Sequence, residues 1–181
     1  MKKLAAVLPV VIFVLFASSP TFAKSATAVL QGTEPDSKLS GMVHFEETAG
    51  GLKINASVEN AAPGRHGFHI HQNGACGDTG KAAGDHFNPD GVSHGFLLKD
   101  GFAHAHAGDL GNLEIGADGK GRMEAVVPQL TLGEGRYSVA GRSVIFHAKE
   151  DDFGQPTGNA GARLGCGVIV MDGLSAAPNP Q

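Results

Sequence analysis

The stretch GLKINASVEN (residues 51–60) alternates strictly between apolar and polar side chains. Leu52, Ile54, Ala56 and Val58 fall on one side, and Lys53, Asn55, Ser57 and Glu59 on the other. Successive strand side chains point to opposite faces, so this pattern predicts a strand with one buried face. Working outward, KLSGMVHFEE (38–47) repeats it, with Leu39, Val43 and Phe45 on one face. GNLEIGADGKGRMEAVV (111–127) predicts two strands joined at residues 117–121. SVIFH (143–147) and CGVIVM (166–171) predict short apolar strands, and TAVLQG (27–32) the first strand. Long helical patterns are missing. Glycine is 27 of 181 residues, about twice the usual ~7%. About eight short strands with glycine-rich turns argue for an all-β antiparallel sandwich or barrel.

The N-terminus opens with Lys2 and Lys3, then an apolar run from Leu4 to Phe16, then Thr21-Phe22-Ala23. That is the layout of a secretory signal peptide cleaved after Ala23, and its apolar part is short for a membrane span. The expected organisation is a cleaved leader over 1–23, one domain over 24–174 and a disordered tail over 175–181. Removing the two leader lysines takes the net charge from −4 to −6. Such a chain is a poor candidate for binding nucleic acid or an anionic membrane through its overall field. Export leads to the periplasm or the outside of the cell. There the two cysteines, Cys76 and Cys166, suggest one disulfide. In the chain-entropy model, closing a loop that long is worth roughly 4–5 kcal/mol.

Two stretches break the strand pattern, residues 72–109 and 148–165, and long irregular segments in a compact domain are usually functional. Histidine concentrates around them. In GFHIH (67–71), His69 and His71 are two apart on a strand and share a face, while Phe68 and Ile70 point into the core. Both imidazoles can therefore reach one ion on the outside of the barrel, beneath the loops. His86 in GDHFNP, His94 in SHG, His106 with Asp109 in HAGDL, and His147 at a strand end are further candidate ligands. Imidazoles with one carboxylate suit zinc and copper. Asp151 and Asp152 follow His147 closely enough for one of them to orient a ligating imidazole. His66 shares parity with Phe68 and reads as a packed structural histidine. His44 reads as a surface residue.

HGFHIH (66–71), GDHFNP (85–90), HAGDLGN (106–112), the strand ending in His147 with Asp151 after it, and GNAGARLGCGVI (158–169) occur in this order. Together they resemble the copper/zinc superoxide dismutases, in their bacterial, exported form, over about Thr27–Met171. The resemblance implies an eight-stranded antiparallel Greek-key β-barrel or sandwich with two long functional loops. It implies an enzyme that dismutates superoxide with one copper and one zinc per subunit. Copper would be held by His69, His71, His86 and His147, and zinc by His86, His94, His106 and Asp109. His86 would bridge the metals and take part in catalysis. Asp151 would hydrogen-bond His69 and His94, Arg163 would attract the substrate anion, and Cys76–Cys166 would anchor the metal-loop region to the last strand.

Lys149 could assist Arg163, although a solvated surface lysine is the simpler reading. His104 could replace His106 or bind a third ion, but HAGDLGN favours His106. A metal-delivery protein is a competing class. It would be expected to use methionine and free cysteine for exchange, and Met42, Met123 and Met171 are scattered. A structural domain on the same fold would have no reason to keep seven metal ligands. A homodimer is compatible with the resemblance, but no interface is legible.

Overall fold

The computed structural model describes residues 23–173, so the expected leader, its cleavage site and the tail fall largely outside the described residues. The strands are β1 (Ser25–Gly32), β2 (Ser40–Thr48), β3 (Gly51–Glu59), β4 (Gly64–His71), β5 (Asp109–Ile115), β6 (Gly121–Val127), β7 (Ser143–His147), β8 (Arg163–Val168) and β9 (Val170–Met171). Among the described residues helix is confined to one turn, α1 (Leu97–Asp100), and a 3-10 turn at Lys81–Ala83.

Neighbours run β2-β3-β6-β5-β4-β7-β8-β1, and β1 pairs back onto β2, which closes an antiparallel barrel. The local order β7-β4-β5-β6 is a Greek key. The closure is tight except at one seam, where β5 and β6 share a single pair, Ile115 with Gly121. The expected architecture is thus the observed one. The apolar face of β3 (Leu52, Ile54, Ala56, Val58) meets Phe45, Phe68, Ile70, Leu113 and Phe146 in the core.

Two differences from the sequence reading have physical causes. CGVIVM is not one strand. β8 ends before Ile169, whose backbone pairs with Gly141 and Arg142 instead, and β9 resumes against β1. A third irregular segment, residues 128–142, joins β6 to β7. Its Leu130, Leu132 and Val139 are buried in the core. The Glu47 carboxylate accepts hydrogen bonds from Thr131, Leu132 and Gly133 of that segment.

β4 carries the histidine pair and is buried on both faces from His66 onward. Phe68 and Ile70 face the core, while residues 72–108 and 148–162 roof the other face. The roof lies close. Any side chain at Gly108 would strike the Ile70 carbonyl oxygen, and the Gly108 carbonyl accepts the Ile70 N–H at 2.9 Å. The register slips between Gly67 and His69 against β5, and between Phe146 and His147 against β8. Such bulges re-aim side chains next to functional sites.

Candidate metal centre

Strands deliver three of the histidines. His69 and His71 project from the roofed face of β4, and His147 ends the neighbouring β7, where Phe68 pairs with Phe146. The long loop delivers His86, which is bound in beside β4 by an isolated bridge to His71. Phe87 N–H donates to the Ile70 carbonyl at 2.8 Å and Gln72 N–H to the Asp85 carbonyl at 2.9 Å. The donor atoms of His69, His71, His86 and His147 lie within 4.8 Å of one another, and so do those of His86, His94, His106 and Asp109. Every member of both groups is buried. The eight expected assignments therefore converge as two clusters sharing His86. His104 stays exposed and joins neither group among the described residues.

Hydrogen bonds decide which ring atom each imidazole presents. His71 Nδ1 lies 2.8 Å from the Gly84 carbonyl and His147 Nδ1 3.2 Å from that of Gly161. Each ring thus donates from Nδ1 and leaves Nε2 with its lone pair facing the cluster. The two Nε2 atoms are 3.4 Å apart. His86 Nδ1 faces Asp109 Oδ1 at 2.8 Å and His106 Nδ1 at 3.4 Å. Its Nε2 is left for the other cluster.

Two buried ring nitrogens, His69 Nδ1 and His94 Nδ1, have no hydrogen-bond partner among the described residues. His94 Nδ1 sits 2.8 Å from Asp109 Oδ2 without hydrogen-bond alignment. Buried polar atoms are rarely orphaned, and one in each cluster aimed at the other donors is what a coordinated cation would satisfy. The residues present therefore fit a metal in each group.

Asp151, fully buried, ties the clusters together. Its carboxylate lies 2.8 Å from His69 Nε2 and 2.9 Å from His94 Nε2. Gly158, at φ 73°, is required here, because any side chain would occupy the place of the Asp151 carboxylate. Asn112 clamps the Asp151 backbone, accepting its N–H at 2.7 Å and donating to its carbonyl at 2.9 Å. Gln155 does the same for a loop ligand. It accepts the His94 N–H at 3.1 Å and donates to the His94 carbonyl at 2.8 Å. Arg142 stacks 3.6 Å over the Phe87 ring and donates to the Gln72 carbonyl, bracing the residues next to His86 and His71. His66 is packed as expected, stacked on Phe146 and hydrogen-bonded to the Ala62 and His147 carbonyls.

The two clusters differ electrically. Burial pushes His71 and His147 down to about 2, and the neighbouring imidazoles add to the effect. Burial also takes His86 down to about 4, although its bond to Asp109 opposes this. His94 goes the other way. Burial lowers it, but the carboxylate of Asp109 beside its Nδ1 and that of Asp151 at its Nε2 outweigh this and raise it to about 9. Asp109 and Asp151 resist burial through their histidine partners and stay well below the ordinary carboxylate range. Neutral imidazoles are ready ligands, whereas His94 must give up a proton first.

A cleft of about 300 Å³ opens onto the first cluster, lined by His71, His86, His147, Asn159, Asp85 and Arg163 among others. The Arg163 guanidinium donates to the carbonyls of Gly80 (2.7 Å) and Gly84 (2.7 Å). Cys76 and Cys166 are disulfide-bonded with Cα atoms 5.7 Å apart, which fixes the start of this loop to β8. Lys149 is exposed, and its stem lies against Gly161 at the cleft.

A closed Greek-key barrel carrying two buried, histidine-sharing ligand clusters beside an arginine-lined cleft defines a dinuclear metalloprotein. Residues 39–169 match the family model of copper/zinc superoxide dismutase. The chain is 42% identical over 139 residues to the extracellular Cu-Zn superoxide dismutase of Caenorhabditis elegans, covering 73% of this chain and 61% of that protein. It thus spans about three-fifths of the nematode protein's length. It is 40% identical over 165 residues to the extracellular Cu-Zn superoxide dismutase of Onchocerca volvulus, covering 84% of this chain and 79% of that one. The crystal structure of the clock protein EA4 superposes with a TM-score of 0.73 at 31% identity, covering 86% of this chain and 99% of that one. The chain belongs to the copper/zinc superoxide dismutase family, which implies copper and zinc as its cofactors.

Proposed function

We propose that this chain dismutates superoxide to molecular oxygen and hydrogen peroxide. The single observation that carries the reading is His86. It is shared by two buried ligand groups and lies on a cleft that holds a fixed guanidinium. In this reading His69, His71, His86 and His147 hold copper, and His86, His94, His106 and Asp109 hold zinc. Copper, when bound, supplies one-electron exchange in both directions, while zinc brings charge without redox chemistry.

The protein's own groups do the rest. Arg163 draws the anion into the cleft against an overall negative charge. His86 keeps Nδ1 on the zinc side, so its Nε2 is the atom that can take up a proton and pass it to departing peroxide. Asp151 holds His69 and His94 in their tautomers from behind, and the disulfide keeps the loop that carries Arg163's carbonyl partners against β8. Dismutation converts two superoxide anions and two protons to oxygen and hydrogen peroxide, so a proton relay is required. The names of the nematode relatives support a secreted protein. Cleavage after Ala23, release into the periplasm or the medium, protection there against superoxide, and a homodimer belong to the same proposal.

Metal analysis of the purified mature chain, joined to a superoxide dismutation assay, tests it. One copper and one zinc per chain with activity far above that of free copper is the expected result. Copper-loaded protein no more active than free copper would overturn the enzymatic reading.

A further inference from the structure

Arg163 does not stand alone at the cleft. Asp85 lines the same wall, in the residue directly before His86. The two are held together by the backbone, because the Gly84 carbonyl that receives the Arg163 Nη2 proton at 2.7 Å belongs to the peptide unit leading into Asp85. Asp85 is exposed, and among the described residues its carboxylate has no hydrogen bond and no ion pair. The nearby Lys81 is directed to Asp78 instead, at 4.0 Å. The negative charge of Asp85 therefore borders the cleft, and the cation it faces there is the Arg163 guanidinium.

The guanidinium opposite is partly spent. Of five N–H donors, those used on the carbonyls of Gly80, Lys81 and Gly84 leave Nε and one Nη2 hydrogen for an incoming anion. We propose that Asp85 is a rate-limiting counter-charge at the mouth of the copper cleft, which offsets Arg163 and holds anion capture below what the site geometry allows. This rests on the dismutase reading of the same site. Asp85 touches no reacting atom. It acts through the field at the mouth, where a unit charge several ångströms from a solvated path changes local anion concentration by about two- to four-fold at low salt.

The test uses the copper- and zinc-loaded protein and the series Asp85→Asn, Asp85→Lys and Glu134→Gln. The last makes the same charge change as Asp85→Asn at an exposed position of the 128–142 segment. Azide affinity for the copper, followed by visible absorption, and dismutation rate are both measured from low to high ionic strength. Asp85→Asn is expected to tighten azide and raise the rate two- to four-fold at low salt, with Asp85→Lys higher again. Both gains shrink as salt is added, which steepens the salt dependence, and Glu134→Gln stays near wild type. Azide affinity unchanged or weakened in Asp85→Asn, or a gain that salt does not erode, would overturn the proposal. If wild type binds azide but dismutates nothing, the dismutase reading fails, and the azide series still decides the role of Asp85.

Discussion

The two halves of the metal centre are built from different material. His69, His71 and His147 stand on paired strands, placed by ladder hydrogen bonds that need no metal. His94, His106 and Asp109 come from the long loop and its junction with β5. Their positions depend on Asp151, Gln155 and one another. In the strand half burial lowers His71 and His147 to about 2, while the loop half gathers two carboxylates around an imidazole raised to about 9. The first resembles a socket formed by the fold. The second is held closed by its own charges.

The largest expected effect isolates the strand half. His147→Ala should abolish dismutation while most of the zinc stays bound, checked by assay and metal content. A fully active variant would break the division. Next comes the link between the halves. Asp151→Ala leaves His69 Nε2 and His94 Nε2 without their buried partner, which should cost about 3 kcal/mol in denaturant unfolding and weaken zinc more than copper. Equal zinc affinity in variant and wild type would make the halves independent.

The third prediction uses pH on the metal-free protein. His71, His86 and His147 are lowered in the fold, so the unfolded chain binds protons first as pH drops below about 6.5. The metal-free fold therefore loses stability as pH falls from about 6.5, through about 4 for His86 and on to about 2 for His71 and His147, with Asp109 and Asp151 adding to the loss at the acid end. His94 is raised, so its contribution is full below about 6.5 and fades as pH climbs through about 9. Unfolding free energy against pH should decline on both flanks. Zinc uptake near neutral pH should release about one proton per site, measurable by calorimetry in buffers of different ionisation heat. The smallest effect concerns the roof. Gln155→Ala removes two hydrogen bonds from the His94 backbone and should cost about 1–2 kcal/mol. It should also speed zinc release, with copper release little changed.

The barrel was legible because period-two alternation is a local signal, plain in Leu52 to Val58. The same parity placed His69 and His71 on one face with the core residues between them. The loop ligands were legible only through their resemblance to a known family, since no periodicity marks a turn histidine. What stayed hidden acts across long stretches of chain. Gln155 on His94, Asn112 on Asp151, Arg142 on Phe87 and Glu47 on the 128–142 segment join residues far apart in sequence, and such contacts leave no pattern in a linear reading. The 128–142 segment was missed for the same reason. Its Leu130, Leu132 and Val139 are apolar without forming an element. The break at Ile169 depends on a backbone partner, Arg142, that CGVIVM does not contain.

The register slips at Gly67/His69 and Phe146/His147 have a consequence for heredity. Each ligand strand meets its neighbour out of step by one residue, immediately beside a histidine. Losing one codon in β7 ahead of the slip would bring His147 to the inward position of Phe146 and carry Phe146 to the place of Ile145, which packs on Ala83 and Cys166. Many single substitutions in these strands leave the histidines in place, but no change of length does. The residue count of β4 and β7 therefore aims the histidines as much as their identity does.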